Sequence, residues 1–145
     1  MFVYAKTPTI VVVDGVVTPE ECDSIISHTE GKLERSTVAT DEGLVSDTAR
    51  TSHGAWLPHN DFPEITQRIS DITAMPLERA EPINVLRYNP DQEYKPHYDA
   101  LDGKHLENGG QRLLTCLFKQ CRRWRNSISK VKYCSWVYRR EIINV

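Results

Sequence analysis

No stretch of the 145 residues approaches the ~20 consecutive apolar residues that a membrane-spanning helix needs, and the opening MFVYAKTPTI has no basic segment followed by a long apolar one. Both absences point to a cytoplasmic protein with no membrane partner. The four cysteines, Cys22, Cys116, Cys121 and Cys134, form no CxxC pair, which argues against a zinc site, and a chain of this length builds a core without disulfide staples. Cys22 falls on the inner face of a predicted helix and reads as a small core residue rather than a nucleophile. Repeats and low-complexity tracts are absent too. What is left is about one domain of ordinary globular composition, 39% hydrophobic and 26% charged.

Basic residues are scarce through most of the chain and then abundant. Residues 1–118 hold 10 Lys and Arg against 19 Asp and Glu; residues 119–145 hold 8 Lys and Arg against Glu141 alone. Two of the three tryptophans and two of the four cysteines also fall in that tail. The expected division is therefore 8–118 as the domain and 119–145 as an aberrant basic tail.

Ile10 to Val13 is a β-branched run closed by Asp14-Gly15, a strand entering a turn. Thr18, Pro19 and Glu21 supply a cap, a first-turn proline and a capping-box partner, predicting a helix over Pro19–Thr29 with Cys22, Ile25 and Ile26 on one face. Ile65, Ile69 and Ile72 predict a second helix over Pro63–Thr73, beginning near Asp61 and stopped by Pro76. Ser36–Trp56 reads as extended pieces and loops. Ile83–Tyr88 is a strand, Asn89-Pro90-Asp91 a turn, Tyr94–Asp99 a second extended piece, Leu101–Gly110 a loop and Arg112–Phe118 a third strand.

The chemistry concentrates in RYNPDQEYKPHYDA, residues 87–100. On extended backbone His97 and Asp99 project from the same side, an imidazole nitrogen beside a carboxylate oxygen. These are two of the three ligands of the facial set that holds non-haem Fe(II). Alone the triplet is weak, since five His and nine Asp produce it by chance about 0.3 times in such a chain.

The order of several motifs is more specific. PTIVVVDGVVTPEECDSII, TARTSHGAWL, EPINVLRYNPDQEYKPHYDA and GGQRLLT occur in sequence, and from residue 8 to about 115 the chain resembles the prolyl 4-hydroxylase alpha-subunit family of 2-oxoglutarate- and Fe(II)-dependent dioxygenases. Asn84 departs from it, where the family commonly has Gln. The resemblance implies an α+β, mainly β fold, a double-stranded β-helix (jelly roll) with flanking N-terminal helices, here incomplete at the C-terminus. It also implies Fe(II), 2-oxoglutarate as cosubstrate, ascorbate, O2 and a proline-containing peptide or protein substrate. His97 and Asp99 match the metal ligands, and Tyr88 a tyrosine that hydrogen-bonds 2-oxoglutarate; a core tyrosine is the alternative. Tyr94 matches a residue packing beneath the metal loop. Arg50 and Ser52 resemble residues lining the peptide groove, although a loop arginine in a surface ion pair fits as well. Arg112 suits a structural salt bridge or a substrate contact, and Trp56 suits core burial or packing under the groove. His28, on an exposed helix face, and His53, His59 and His105 match no ligand position.

The resemblance breaks where a distal histidine and a Lys or Arg for the far carboxylate of 2-oxoglutarate are expected. Only 46 residues follow Asp99, and His105 is the sole histidine among them. Trp124 must be encoded TGG, and a reading shifted one base forward places glycine there. With permitted codons, Cys116–Ser135 shifted in this way gives VYLNNVEDGGTAFPKLNIV, which resembles the family's continuation after RLLT. The tail is accordingly expected to be out of frame from near Thr115–Phe118. Two other readings stand beside this one: an inactive, truncated family member with exposed sheet edges, and a nucleic-acid-binding arm in KQCRRWRNSISKVKYCSWVYRR.

Overall fold

The computed structural model describes residues 1–40, 43–107, 109–120 and 131–140, with 119–120 and 131–140 described by their backbone. Strand β1, Phe2–Lys6, pairs antiparallel with β2, Thr9–Val12. The β-branched run thus forms a strand as expected, within a hairpin whose first arm the sequence reading passed over.

Helix α1 covers Pro19–Thr29 and opens with the expected capping box: Glu21 N–H donates to Thr18 Oγ1 (3.2 Å), and Thr18 N–H to Glu21 Oε2 (2.8 Å). Four short strands follow, β3 (Glu34–Arg35), β4 (Val38–Thr40), β5 (Gly43–Val45) and β6 (His53–Leu57), then helix α2 over Pro63–Thr73. Helix α2 ends at Ala74, a residue in the left-handed region at φ 53°. Arg68 of α2 donates to both Glu21 carboxylate oxygens at 3.0 Å and to Val16 O at 2.6 Å, joining the start of α1 to α2. The Arg68 hydrogen bonds hold the Glu21 pKa below its ordinary value against the opposing effect of burial, helped by the Thr18 N–H and the Arg68 charge.

Strands β7 (Ile83–Tyr88), β8 (Gln111–Gln120) and β9 (Val131–Arg140) complete a five-stranded antiparallel sheet in the order β3-β6-β7-β9-β8. Part of the compositionally odd tail therefore lies between β7 and β8; its residues 121–130 and 141–145 are outside the described residues. The content is mixed and mainly β as expected. Among the described residues the strands form this one open sheet and two hairpins rather than two facing sheets of a closed jelly roll.

One face of the sheet carries the core. Ile25, Ile65 and Ile69 from the helices pack on Leu57, Ile83 and Val85, with Cys116 and Phe118 alongside. Cross-strand pairing puts Trp56, Asn84 and Leu117 in one row on the opposite face. There Trp56 is 56% and Leu117 62% exposed. The expected core burial of Trp56 is thus overturned: its neighbours Ala55 and Leu57 take the inward positions, and strand alternation sends Trp56 out. Ile72, third in the isoleucine row, is likewise 42% exposed at the last turn of α2. Gly54 permits close packing on the open face, where a Cβ would come 3.0 Å from Leu86 Cδ2 and 3.2 Å from both Asn84 Oδ1 and Ser36 Oγ.

Candidate metal centre

After β7 the chain reverses at Asn89–Gln92, closed by Gln92 N–H on Asn89 O and Asn89 N–H on Gln92 Oε1, both 2.9 Å. It then runs along residues 49–51. Lys95 N–H donates to Ala49 O (2.9 Å), Thr51 N–H to Glu93 O (2.8 Å) and Glu93 N–H to Thr51 Oγ1 (2.7 Å), around an isolated bridge between Arg50 and Tyr94. The predicted extended piece Tyr94–Asp99 is this single bridge followed by irregular backbone, not a strand; Pro96 has no N–H to continue a ladder.

Irregular or not, the segment brings His97 and Asp99 together. His97 Nδ1 lies 2.8 Å from Lys95 O, close enough to donate to that carbonyl, and the other ring nitrogen is Nε2. That Nε2 faces Asp99 Oδ1 at 3.4 Å, with the two side chains 38% and 43% exposed. The other Asp99 oxygen, Oδ2, accepts from Thr115 Oγ1 of β8 at 2.6 Å. Two donors at right angles on one ion, each ~2.1 Å from it, lie about 3 Å apart, so this pair fits Fe(II) as two members of its ligand set. Each of the two side chains has its outer polar atom tied to the protein, the kind of support found around metal-binding His and Asp. Among the described residues no group of three or more His, Cys, Asp and Glu is placed to hold a metal. Cys116 is not drawn in: it packs against the core, and burial pushes its thiol pKa up, away from the thiolate form that ligates.

Tyr88 ends β7 half-buried and, by alternation with Asn84 and Leu86, belongs to the open face that also carries Thr115. Tyr94 packs against the loop that carries the candidate pair, its ring stacked on the His97 imidazole with centroids 3.6 Å apart and planes 20° apart. Arg50 lies over the Tyr94 ring, its guanidinium carbon 4.9 Å from the centroid, and donates to Thr37 O at 3.0 Å rather than to a surface carboxylate. Ser52, expected on a groove wall, is fully buried; its hydroxyl donates to Ser36 Oγ at 3.0 Å.

For Arg112 the structure selects the salt bridge, with Nε to Glu81 Oε1 at 2.8 Å and Nη2 to Glu81 Oε2 at 2.9 Å. Burial pulls the Arg112 pKa down, but the Glu81 hydrogen bonds and charge, with the charges of Asp99 and Tyr94, carry it above the usual arginine value. A permanent cation therefore stands near the metal loop. His28 sits on α1 as expected, paired with Asp61 at 2.9 Å; His59 and His105 reach the backbone carbonyls of Ala80 (3.2 Å) and Thr40 (2.9 Å).

The sequence reading passed over Thr51, Gln111 and Thr115. Gln111 binds Leu101 twice, accepting from its N–H and donating to its C=O, both at 2.8 Å. All three lie inside the resembling motifs TARTSHGAWL and GGQRLLT, the signal that marks them in the sequence; their contacts join distant parts of the chain.

No protein-family model matches the chain. Among curated proteins it is similar to prolyl 4-hydroxylase 5 of Arabidopsis thaliana, 40% identical over 116 residues that cover 76% of this chain and 40% of the relative. It is also similar to prolyl 4-hydroxylase 1 of the same plant, 40% identical over 124 residues (79% of this chain, 44% of the relative). A third is probable prolyl 4-hydroxylase 10, 39% identical over 116 residues (76% and 40%). The chain spans about two fifths of the length of these relatives, and over most of its own length it belongs to a prolyl 4-hydroxylase-like family.

Proposed function

We propose that His97 and Asp99 are the first two protein ligands of a 2-oxoglutarate- and Fe(II)-dependent dioxygenase that hydroxylates a peptidyl proline or a related side chain. One observation carries this reading: the His97 Nε2 and the Asp99 Oδ1 face each other at 3.4 Å, each side chain fixed through its other polar atom. Fe(II) bound there, supported by ascorbate, supplies hydroxylating chemistry from O2 and 2-oxoglutarate, with succinate and CO2 released. The protein's own part is to place Nε2 beside the Asp99 carboxylate, to hold Asp99 through Thr115 and to offer the Tyr88 hydroxyl to a 2-oxoglutarate carboxylate. The peptide would lie along the open face beside these groups, and Arg50 and Ser52 would shape it from behind rather than touch it.

A facial ligand set needs a third donor. We read residues 119–145 as out of frame, so that this exact chain turns over poorly or not at all. DNA sequencing checks the frame, and succinate release from 2-oxoglutarate with Fe(II), ascorbate and proline-rich peptides compares the chain with a frame-restored version. Replacing both His97 and Asp99 by Ala in the restored version should weaken iron binding about 100-fold. Unchanged iron affinity in that variant would sink the assignment.

A further inference from the structure

After Asp99 the chain makes a loop before it enters β8, and one side chain closes that loop at its neck. Leu101 and Gln111, ten residues apart, stand at the two ends. The Gln111 carboxamide accepts from Leu101 N–H and donates to Leu101 C=O, both at 2.8 Å, the pair of bonds that the backbone of a neighbouring strand would supply. The same amide oxygen accepts from Arg112 N–H at 2.9 Å, a third bond that orients the amide on its own strand. Arg112 is in turn held by Glu81, just before β7, through two hydrogen bonds of 2.8 and 2.9 Å. Leu101 is thus fastened to the sheet although it belongs to no strand.

Asp99 lies two residues before Leu101. Its hydrogen bond from Thr115 Oγ1 at 2.6 Å fixes one carboxylate oxygen, but by itself leaves the carboxylate and the backbone beneath it free to turn about that bond. A second hold on the backbone at Leu101 removes the turn and separates Asp99 from displacements of residues 102–110. A carboxamide suits the task, because it carries a donor and an acceptor on one planar group, where a carboxylate only accepts and an apolar side chain does neither. We infer that Gln111 is a positioning residue which, acting through Leu101, sets the direction in which Asp99 Oδ1 faces His97 Nε2. The inference rests on His97 and Asp99 being ligands, as proposed above, and gives Gln111 a task apart from ligation and from peptide contact.

The test uses the full chain, first without metal and then with Mn2+ as the probe, a paramagnetic ion suited to carboxylate ligands. Broadening of backbone amide NMR signals around residues 97–99 reads its binding, weak or tight. Gln111→Met keeps the length of the side chain and removes both bonds to Leu101. It should speed hydrogen exchange at the Leu101 N–H about ten-fold in the metal-free chain, the effect of losing one hydrogen bond. It should also weaken Mn2+ binding about three- to ten-fold, less than the loss of a group that touches a ligand directly. Ile69→Val, in the helix-covered core, is the control: it should lower stability and leave Mn2+ affinity at the parent value, the pattern that a merely structural Gln111 would share. Should Gln111→Met not fold, Gln111→Asn, whose amide is one methylene short of Leu101, is read by the same measurements. Parent-like Leu101 exchange or parent-like Mn2+ affinity in Gln111→Met, or failing that in Gln111→Asn, overturns the inference, as does an equal loss of affinity in Ile69→Val. Failure of the metal reading is a separate result: Mn2+ affinity unchanged in Asp99→Ala defeats the ligand assignment, whatever Gln111→Met does.

Discussion

The two faces of the five-stranded sheet follow opposite rules. On one, Leu57, Ile83 and Val85 meet the helices and are at most 2% exposed; on the other, Trp56 and Leu117 stand in solvent, and Thr115 donates to Asp99 of the His97–Asp99 pair. Stability is concentrated on the first face and chemistry on the second. The lesson is that residues adjacent in sequence on β6 belong to different functions, because strand alternation assigns them to different faces.

Substitutions on the two faces should therefore differ sharply. Leu57→Ala opens a cavity in the helix-covered core and should cost about 2–5 kcal/mol in chemical unfolding. Arg112→Ala leaves Glu81 buried without its charged partner and should cost about 2–3 kcal/mol, less than a wholly buried pair because Arg112 remains partly solvated. Stability should also fall in acid. The depressed Glu21 pKa contributes stability that is complete above the ordinary Glu value of about 4.3 and is lost as the pH drops through the lower folded value. Glu21→Gln should remove that acid-dependent part, about 0.5–1 kcal/mol for a pair at the solvent boundary. Trp56→Ser, one residue from Leu57, should change unfolding by less than about 0.5 kcal/mol. If Trp56→Ser proves as damaging as Leu57→Ala, the contrast between faces is false.

The framework was legible because its signals are local. Thr18, Pro19 and Glu21 mark the start of α1 within four residues, and the isoleucine spacing marks α2, so both helices have the bounds that the sequence predicts. The run from Ile83 likewise gives β7. Trp56 is large and apolar, yet the small Ala55 and the branched Leu57 on either side take the inward positions and alternation turns it outward. His97 and Asp99 were legible as a triplet, but their setting was not. Thr51 lies 42 residues from Glu93 and Thr115 lies 16 from Asp99, so no window of sequence contains these contacts. The Tyr94–Asp99 segment was read as extended because alternate spacing suits a strand, yet its geometry comes from hydrogen bonds to 49–51 and to β8.

That last arrangement has a mechanical consequence. The histidine is anchored to one part of the molecule, residues 49–51, while the acid two positions later is anchored to another, the strand bearing Gln111 and Thr115. A cation grasped by both would act as a rivet between independently mounted plates, so hydrogen exchange at Lys95–Leu101 would slow on its arrival more than anywhere else in the domain.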